Sequence, residues 1–255
     1  MADKATSLGV NSPPANVASD GDGRAVENAI LAGLPRKDRA LILSKSRLVS
    51  LPARTVLTEM AQPIEFGYFL NAGVVSIIKV MKDKKSVEVG LTGKEGFVGL
   101  PLVAGYSTSP TRAIIQIEAS ANKISVQDLK SALRISSSLK ESLHRYSQDL
   151  AIQAIQIAAC NRLHEVDERL ARWLLMSQDR VGRSTFLLTQ EFVSHMLGTR
   201  RASVTVSAGI LQKAGLITYS RGQVTIEDRA GLESASCECY EEINRQIERW
   251  HRDTR

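Results

Sequence analysis

Apolar positions along the chain change their spacing twice, and each change marks a change of element type. Residues 26–34 and 37–43 carry short helical patterns, separated by Pro35, which cannot continue a helix. Residues 51–124 switch to short β-branched runs divided by turn signals: 55–57, 68–70, 74–80, 86–91 and 113–117. Asn71-Ala72-Gly73 and Lys82-Asp83-Lys84-Lys85 read as breaks between strands. Many short strands at this spacing predict an antiparallel barrel or jelly roll. From Val126 the period is helical. Leu139, Leu143, Tyr146, Leu150, Ala154 and Ile157 recur at steps of three and four, an a/d-like seam that predicts a long helix pairing two subunits. Another amphipathic helix is expected over residues 165–178, with Val166, Leu170, Trp173 and Leu174 on one side. The linker between domains is placed near residues 160–164.

The next segment predicts a DNA-binding unit. Thr189 is a suitable N-cap for a helix whose apolar face is Phe192, Val193, Met196 and Leu197. Gly198 suits the tight turn of a helix-turn-helix. A second helix over 200–213 has Val204, Ala208 and Leu211 as its buried stripe, leaving Arg201 and Thr205 on another face. Ile217-Thr218-Tyr219, Arg221-Gly222 and Gln223-Val224-Thr225-Ile226 then read as a β-hairpin, the wing. The last helical pattern, residues 230–255, places Leu232, Tyr240, Ile243, Ile247 and Trp250 on one side.

Charge strengthens this reading. The net charge is +6, and residues 183–226 hold five basic side chains (Arg183, Arg200, Arg201, Lys213, Arg221) against one acid, Glu191. A local basic excess on a helix and hairpin favours a phosphate-rich partner.

Leu188-Thr189-Gln190-Glu191, Leu197-Gly198, Arg200-Arg201-Ala202-Ser203-Val204 and Gly215-Leu216-Ile217 resemble the Crp/Fnr family of transcription regulators. Leu70-Asn71-Ala72-Gly73, the GKEGFVG stretch at 93–99, Arg112, the Leu139 seam and residues 165–175 fall in family order upstream. The resemblance implies an α+β chain: an N-terminal antiparallel β-roll (jelly-roll-like), a long dimerisation helix and a C-terminal winged helix-turn-helix. The corresponding divisions are a disordered tail at 1–24, a cyclic-nucleotide-binding-like sensor at 25–135, the dimerisation helix and hinge at 136–163, the winged domain at 164–229 and a C-terminal helix at 230–255. It also implies double-stranded DNA as partner, palindromic operators, a homodimer, RNA polymerase if the protein activates, and a cytoplasmic location away from membranes.

Carried over residue by residue, Arg201 falls where the family has a guanine-reading arginine, while Ala202 and Val206 replace two polar readers. Base reading is therefore expected from Arg201, Ala202, Thr205 and Val206, with Val206 either contacting a thymine methyl or packing. Thr189, Thr199, Arg200, Ser203 and Arg221 are expected on phosphates, which position without specifying. In the sensor, Gly99 and Arg112 match two of four nucleotide-holding positions, but Leu100 and Ala113 replace the ribose acceptor and the phosphate donor. This effector pocket argues against cAMP, and Arg112 is either an anion partner or an ordinary surface arginine.

Other function classes lack their residues. No cysteine precedes Cys160, so the oxygen-sensing iron-sulfur pattern is absent; the histidines, His144, His164, His195 and His251, lie outside 51–124, which leaves no haem ligand and no cupin-type metal site. No catalytic motif of the GxSxG, HExxH or P-loop type occurs. No cofactor or metal is expected. Cys160, Cys237 and Cys239 read as small helical residues, with metal binding or redox sensing by Cys237 and Cys239 as the sharper alternative. The competing functions are a cyclic-nucleotide-binding adaptor and a cupin-like enzyme; the basic winged motif argues against both.

Overall fold

The computed structural model describes residues 26–253; the expected tail at 1–24 lies outside them. Helices α1 (Ala29–Gly33) and α2 (Arg36–Ser44) precede strands β1 (Ser46–Leu51), β2 (Val56–Thr58), β3 (Phe66–Val80), β4 (Ser86–Thr92) and β5 (Phe97–Val98). Helix α3 (Leu100–Val103), strand β6 (Arg112–Ser125), α4 (Val126–Ile135) and α5 (Ser137–Leu163) follow. The C-terminal part comprises α6 (Val166–Val181), β7 (Thr185–Leu187), α7 (Gln190–Leu197), α8 (Arg201–Lys213), β8 (Ile217–Ser220), β9 (Gln223–Ile226), α9 (Arg229–Ser234) and α10 (Cys239–Asp253). Among the described residues no helix is long and apolar enough to cross a membrane.

Strands β1 to β6 form one antiparallel sheet in the order β1-β6-β3-β4, with β2 on β6 and β5 on β3. The expected break at Asn71-Ala72-Gly73 is a series of bulges inside a single long strand. Pairing of β3 with β6 shifts register around Ala72 and Val74, and Gly73 has φ +82. A Cβ on Gly73 would lie 2.3 Å from the Glu118 carbonyl oxygen, so only glycine lets the strand turn there without ending. Strand β1, whose outward residues are mostly polar, gave no strand signal in the sequence.

Helix α5 is one continuous helix capped by Ser136, whose Oγ accepts the Leu139 N–H at 3.0 Å. Much of the expected seam is buried within the chain itself. Leu139, Leu143 and Tyr146 are buried in the chain's own core with Ile30, Leu31, Phe69, Phe97 and Leu129. The Tyr146 hydroxyl donates to Thr92 Oγ1 at 2.8 Å. Leu150 lies against Gly90 of β4, and with Ala154 it lines a cavity of the roll; Ile157 is buried as well. Spacing alone does not say which surface a stripe covers, and the roll of the same chain covers much of this one. The helix runs through Leu163, so the break falls at the end of the expected linker, at His164 and Glu165.

Helix α6 starts with a reciprocal capping box between Glu165 and Glu168 and is buried without interruption from Arg169 to Ser177. Its apolar side chains join the winged domain and Val74, Ile78, Leu91 and Ile117 of the roll in a single cluster. Polar links cross the same boundary: Trp173 Nε1 donates to Glu88 Oε1 at 3.0 Å, Gln116 Nε2 to Ser177 Oγ at 3.3 Å, and Arg180 pairs with Glu95 at 2.8 Å. The C-terminal segment, expected as one helix, is two. Cys237 sits in the turn between α9 and α10 rather than on a helix, and α10 packs on α5 and α6 of its own chain.

Glu88 is fully buried at the contact with Trp173, and burial pushes its carboxyl up to about 7 against the opposing pull of Ser76, Arg172 and Trp173. The folded protein therefore holds this proton over a range where the unfolded chain, with a value near 4.5, has released it. Stability conferred by this group is complete at the acid end and is lost as pH rises from about 4.5 to about 7. Glu88→Gln keeps an acceptor for Trp173 and removes the titration. Thermal melts across this range should show the wild-type midpoint falling relative to the variant and the difference levelling off above it.

Candidate nucleic-acid interface

Local sequence sets the helix-turn-helix. Thr189 is the N-cap of α7, its Oγ1 accepting the Phe192 N–H at 3.2 Å. Val193, Met196 and Leu197 are buried against the domain core. Gly198 ends the helix at φ +60, a left-handed conformation that favours glycine. A Cβ there would also stand 3.1 Å from Val87 of β4, so the turn lies close against the sheet of the roll. Arg200 is then the N-cap of α8. Helix α8 buries Val204, Ser207, Ala208 and Leu211. Its opposite face exposes Arg201, Ala202, Thr205, Val206, Gly209 and Ile210. Val206 is 64% exposed and Ile210 49%, so Val206 does not pack within the domain.

The wing is a tight hairpin. Strands β8 and β9 pair antiparallel, joined by Arg221 and Gly222 at φ +50 and φ +75. Two positive φ angles define a two-residue turn whose twist matches the strands. Glycine takes such an angle at little cost; arginine does not, yet Arg221 holds the exposed tip. Strand β7, too short to have been read from sequence, completes a three-stranded sheet through β9.

Three links hold the wing against the segment leading into α7 and against α8. The Tyr219 hydroxyl donates to the Leu188 carbonyl at 2.7 Å, and burial pushes its pKa up to about 12, which keeps it a donor. The Tyr219 N–H donates to Gln212 Oε1 at 2.6 Å, and the Leu188 N–H to the Gly222 carbonyl at 2.6 Å. Between the two helices, Thr205 Oγ1 donates to Gln190 Oε1 at 2.7 Å.

These contacts bring Thr189, Arg201 and Arg221, separated in sequence, around one cleft of about 430 Å³ that Gln190, Tyr219, Ser220 and Gly222 complete. The cleft holds two guanidinium groups, hydroxyls and no carboxylate, chemistry that suits a phosphate. Thr199, Arg200 and Ser203 group separately at the N-terminal end of α8, with Arg200 exposed and Ser203 half-buried. Gln190, Tyr219 and Ser220 escaped the sequence reading because their place depends on how the wing folds back. The only available hint was an aromatic residue with a polar tip in the hairpin.

The expected effector residues divide. Gly99, Leu100 and Ala113 line a cavity of about 800 Å³ between the roll and α5, with Ile64, Ile77, Val89, Phe97, Leu150 and Ala154 among its walls. Arg112 is not part of that lining. Its guanidinium forms an ion pair with Glu59, Nη2 to Oε2 2.8 Å and Nε to both carboxylate oxygens at 3.0 and 3.1 Å, and this hydrogen bonding holds the Glu59 carboxyl below its ordinary value. The polar side chains among its lining residues are all hydroxyls: Thr58, Tyr106, Thr108, Ser109, Thr111 and Ser147.

Residues 168–235 match the family model of the Crp-like helix-turn-helix domain. A comparison with curated proteins finds no match in sequence. Among solved structures, the chain is similar to a putative transcriptional regulator of the Crp/Fnr family from Eubacterium rectale, at 15% identity and TM-score 0.65, covering 81% of this chain and 97% of that one. It is similar to FixK2 from Bradyrhizobium japonicum at 17% identity and TM-score 0.64, over 75% of this chain and 98% of that one. The c-di-GMP responsive global regulator CLP from Xanthomonas campestris aligns at 18% identity and TM-score 0.63, over 75% and 99%.

Proposed function

We propose that this transcription regulator of the Crp/Fnr type, with its Crp-like helix-turn-helix domain, binds palindromic duplex DNA as a homodimer and takes an uncharged effector in its roll. The observation that carries the DNA reading is the cleft that joins Arg201 on α8 to Arg221 on the wing. With α8 in the major groove, Arg201, Ala202, Thr205 and Val206 face base edges, and Thr189, Arg200 and Arg221 meet the flanking phosphates. Val206 offers an exposed apolar surface suited to a thymine methyl.

Pairing of subunits is assigned to the outward face of α5. Ile155, Ala158 and Ala159 share that face and are exposed, Ile155 at 71%. They lie opposite the stripe that contacts the roll, which leaves small residues for close helix approach. A two-fold dimer presents two copies of α8 to half-sites one helical turn apart.

The cavity supports an apolar effector. Phosphate needs a cationic or N–H donor, and the nearest family-matched cation, Arg112, is already paired with Glu59. Because Leu150 and Ala154 belong to α5, an occupant would bear directly on the helix that leads to the winged domain.

Arg201→Ala should cost about 1–3 kcal/mol at the specific operator and relax one base position. Arg200→Ala should weaken specific and random DNA alike and reduce the salt slope. Mobility shifts on both DNAs at several salt concentrations separate the two outcomes; equal losses on random and specific DNA for Arg201→Ala would remove its base-reading role.

In sedimentation, Ile155→Glu should shift the protein to monomer while leaving its melting profile near that of wild type. Leu150→Glu, which puts a charge beside Gly90 in the roll, should destabilise the fold instead. An unchanged dimer in Ile155→Glu would refute this assignment of the interface.

Calorimetry should detect no heat with cAMP or cyclic di-GMP. Micromolar affinity for either, lost in Arg112→Ala, would show that the Glu59 pair opens to admit an anion.

A further inference from the structure

The three cysteines are separated by most of the winged domain in sequence, yet they meet in space. Cys160 is on the last turn of α5, and His164 is that helix's C-cap, its N–H bonded to the Cys160 carbonyl at 3.1 Å. Cys237 lies in the turn before α10, and Cys239 opens α10. All three thiols are free and buried. One donor atom from each of Cys160, His164, Cys237 and Cys239 lies within 4.8 Å of every other. Two of these separations are 3.5 Å: Cys160 Sγ to Cys237 Sγ, and Cys239 Sγ to His164 Nδ1.

We propose that Cys160, His164, Cys237 and Cys239 form a tetrahedral site for a single zinc ion, clamping the end of α5 to the turn between α9 and α10. A tetrahedral zinc with Zn–S near 2.3 Å requires sulfurs about 3.8 Å apart, and the four donors need only small adjustments to reach that figure. An iron-sulfur cluster, with several metals between its ligands, would need its cysteine sulfurs farther apart than this. Three soft thiolates and an imidazole suit zinc better than the hard divalent cations.

The surroundings are those of a metal site. His164 Nε2 is held by Glu238 Oε2 at 3.0 Å, which leaves Nδ1 directed at the sulfurs. Histidine ligands to metals typically have such a carboxylate on the other ring nitrogen. Gln156 Nε2 donates to Cys239 Sγ at 3.1 Å. Three thiolates around a divalent ion leave one net negative charge, and two buried cations stand close enough to feel it. Arg172, 2% exposed, acts on Cys160, and Arg169 is acted on by Cys160 and Cys237. The Nε atoms of both arginines are buried without a hydrogen-bond partner. An anionic metal centre beside them accounts for two positive charges that the protein core would otherwise disfavour. The Cys-x3-His and Cys-x-Cys pairs come from opposite ends of the winged domain, so the ion would staple the hinge to the segment that follows the wing.

The test is metal content of the full chain, purified without a metal-affinity tag and under reducing conditions. Elemental analysis should give one zinc per chain, and a competing chromophoric chelator should release it in step with a fall in melting temperature. Cobalt replacement should give the visible spectrum of a tetrahedral thiolate site. Cys237→Ser with Cys239→Ser should lose the zinc while operator binding by the Arg201 face can still be scored. If this double variant does not fold, titration of the wild-type protein alone decides. Absence of zinc uptake by reduced wild-type chain, or undiminished zinc in a folded double variant, would overturn the site.

Discussion

Helix α6 is the constraint on which the remaining architecture depends. From Arg169 to Ser177 no residue reaches solvent appreciably, because the winged domain covers one side and the β-roll the other. Continuous burial favours a partner inside the protein for each polar group on the helix, and most find one, the Nε atoms of Arg169 and Arg172 excepted. Trp173 finds Glu88, Ser177 finds Gln116, and Arg169 donates to the Asn161 side chain at 2.8 Å and to the Leu197 carbonyl. The last contact reaches the end of α7 itself, so the helix-turn-helix is tied to the same helix whose Trp173 and Ser177 bond to the β-roll. The two parts share one apolar cluster rather than meeting at a wet interface.

Elements whose signal is local were legible in sequence. Thr189, Gly198 and the Val204, Ala208, Leu211 stripe specify a cap, a left-handed turn and an inward face within a few residues, and α7, α8 and the wing lie where those signals place them. Signals that need a partner surface were ambiguous. The stripe from Leu139 to Ile157 is a true apolar face, but its target is the chain's own sheet. The break at Gly73 is a bulge because β6 continues alongside it. Arg112 resembles an anion ligand only until Glu59, more than fifty residues earlier, is placed beside it.

The cysteines show the same limit more sharply. Cys160 and His164 sit one helical turn apart, and Cys237 and Cys239 alternate, but neither pair is a metal signature by itself. What joins them is the path of α10 back across α5 and α6, a consequence of the Ile243 and Tyr240 side of that helix packing on the winged-domain core. Periodicity predicted an apolar side for the C-terminal segment; it could not predict that the segment would bend at Cys237 before presenting it.

Gly198 carries a consequence for how such a protein can diversify. The residue makes the turn of the helix-turn-helix, and a Cβ on it would stand 3.1 Å from the Val87 side chain of the sheet, tighter than ordinary packing. Roll and helix-turn-helix are thus fitted closely to one another at the turn between α7 and α8. A chimaera that grafted this reader onto a different roll would inherit a mismatched seat for its recognition turn, even with every DNA-facing residue intact. Modularity in this architecture stops at α6 and strand β4: the exchangeable unit is the whole interlocked pair, and new specificities are most readily acquired by changing the outward side chains of α8.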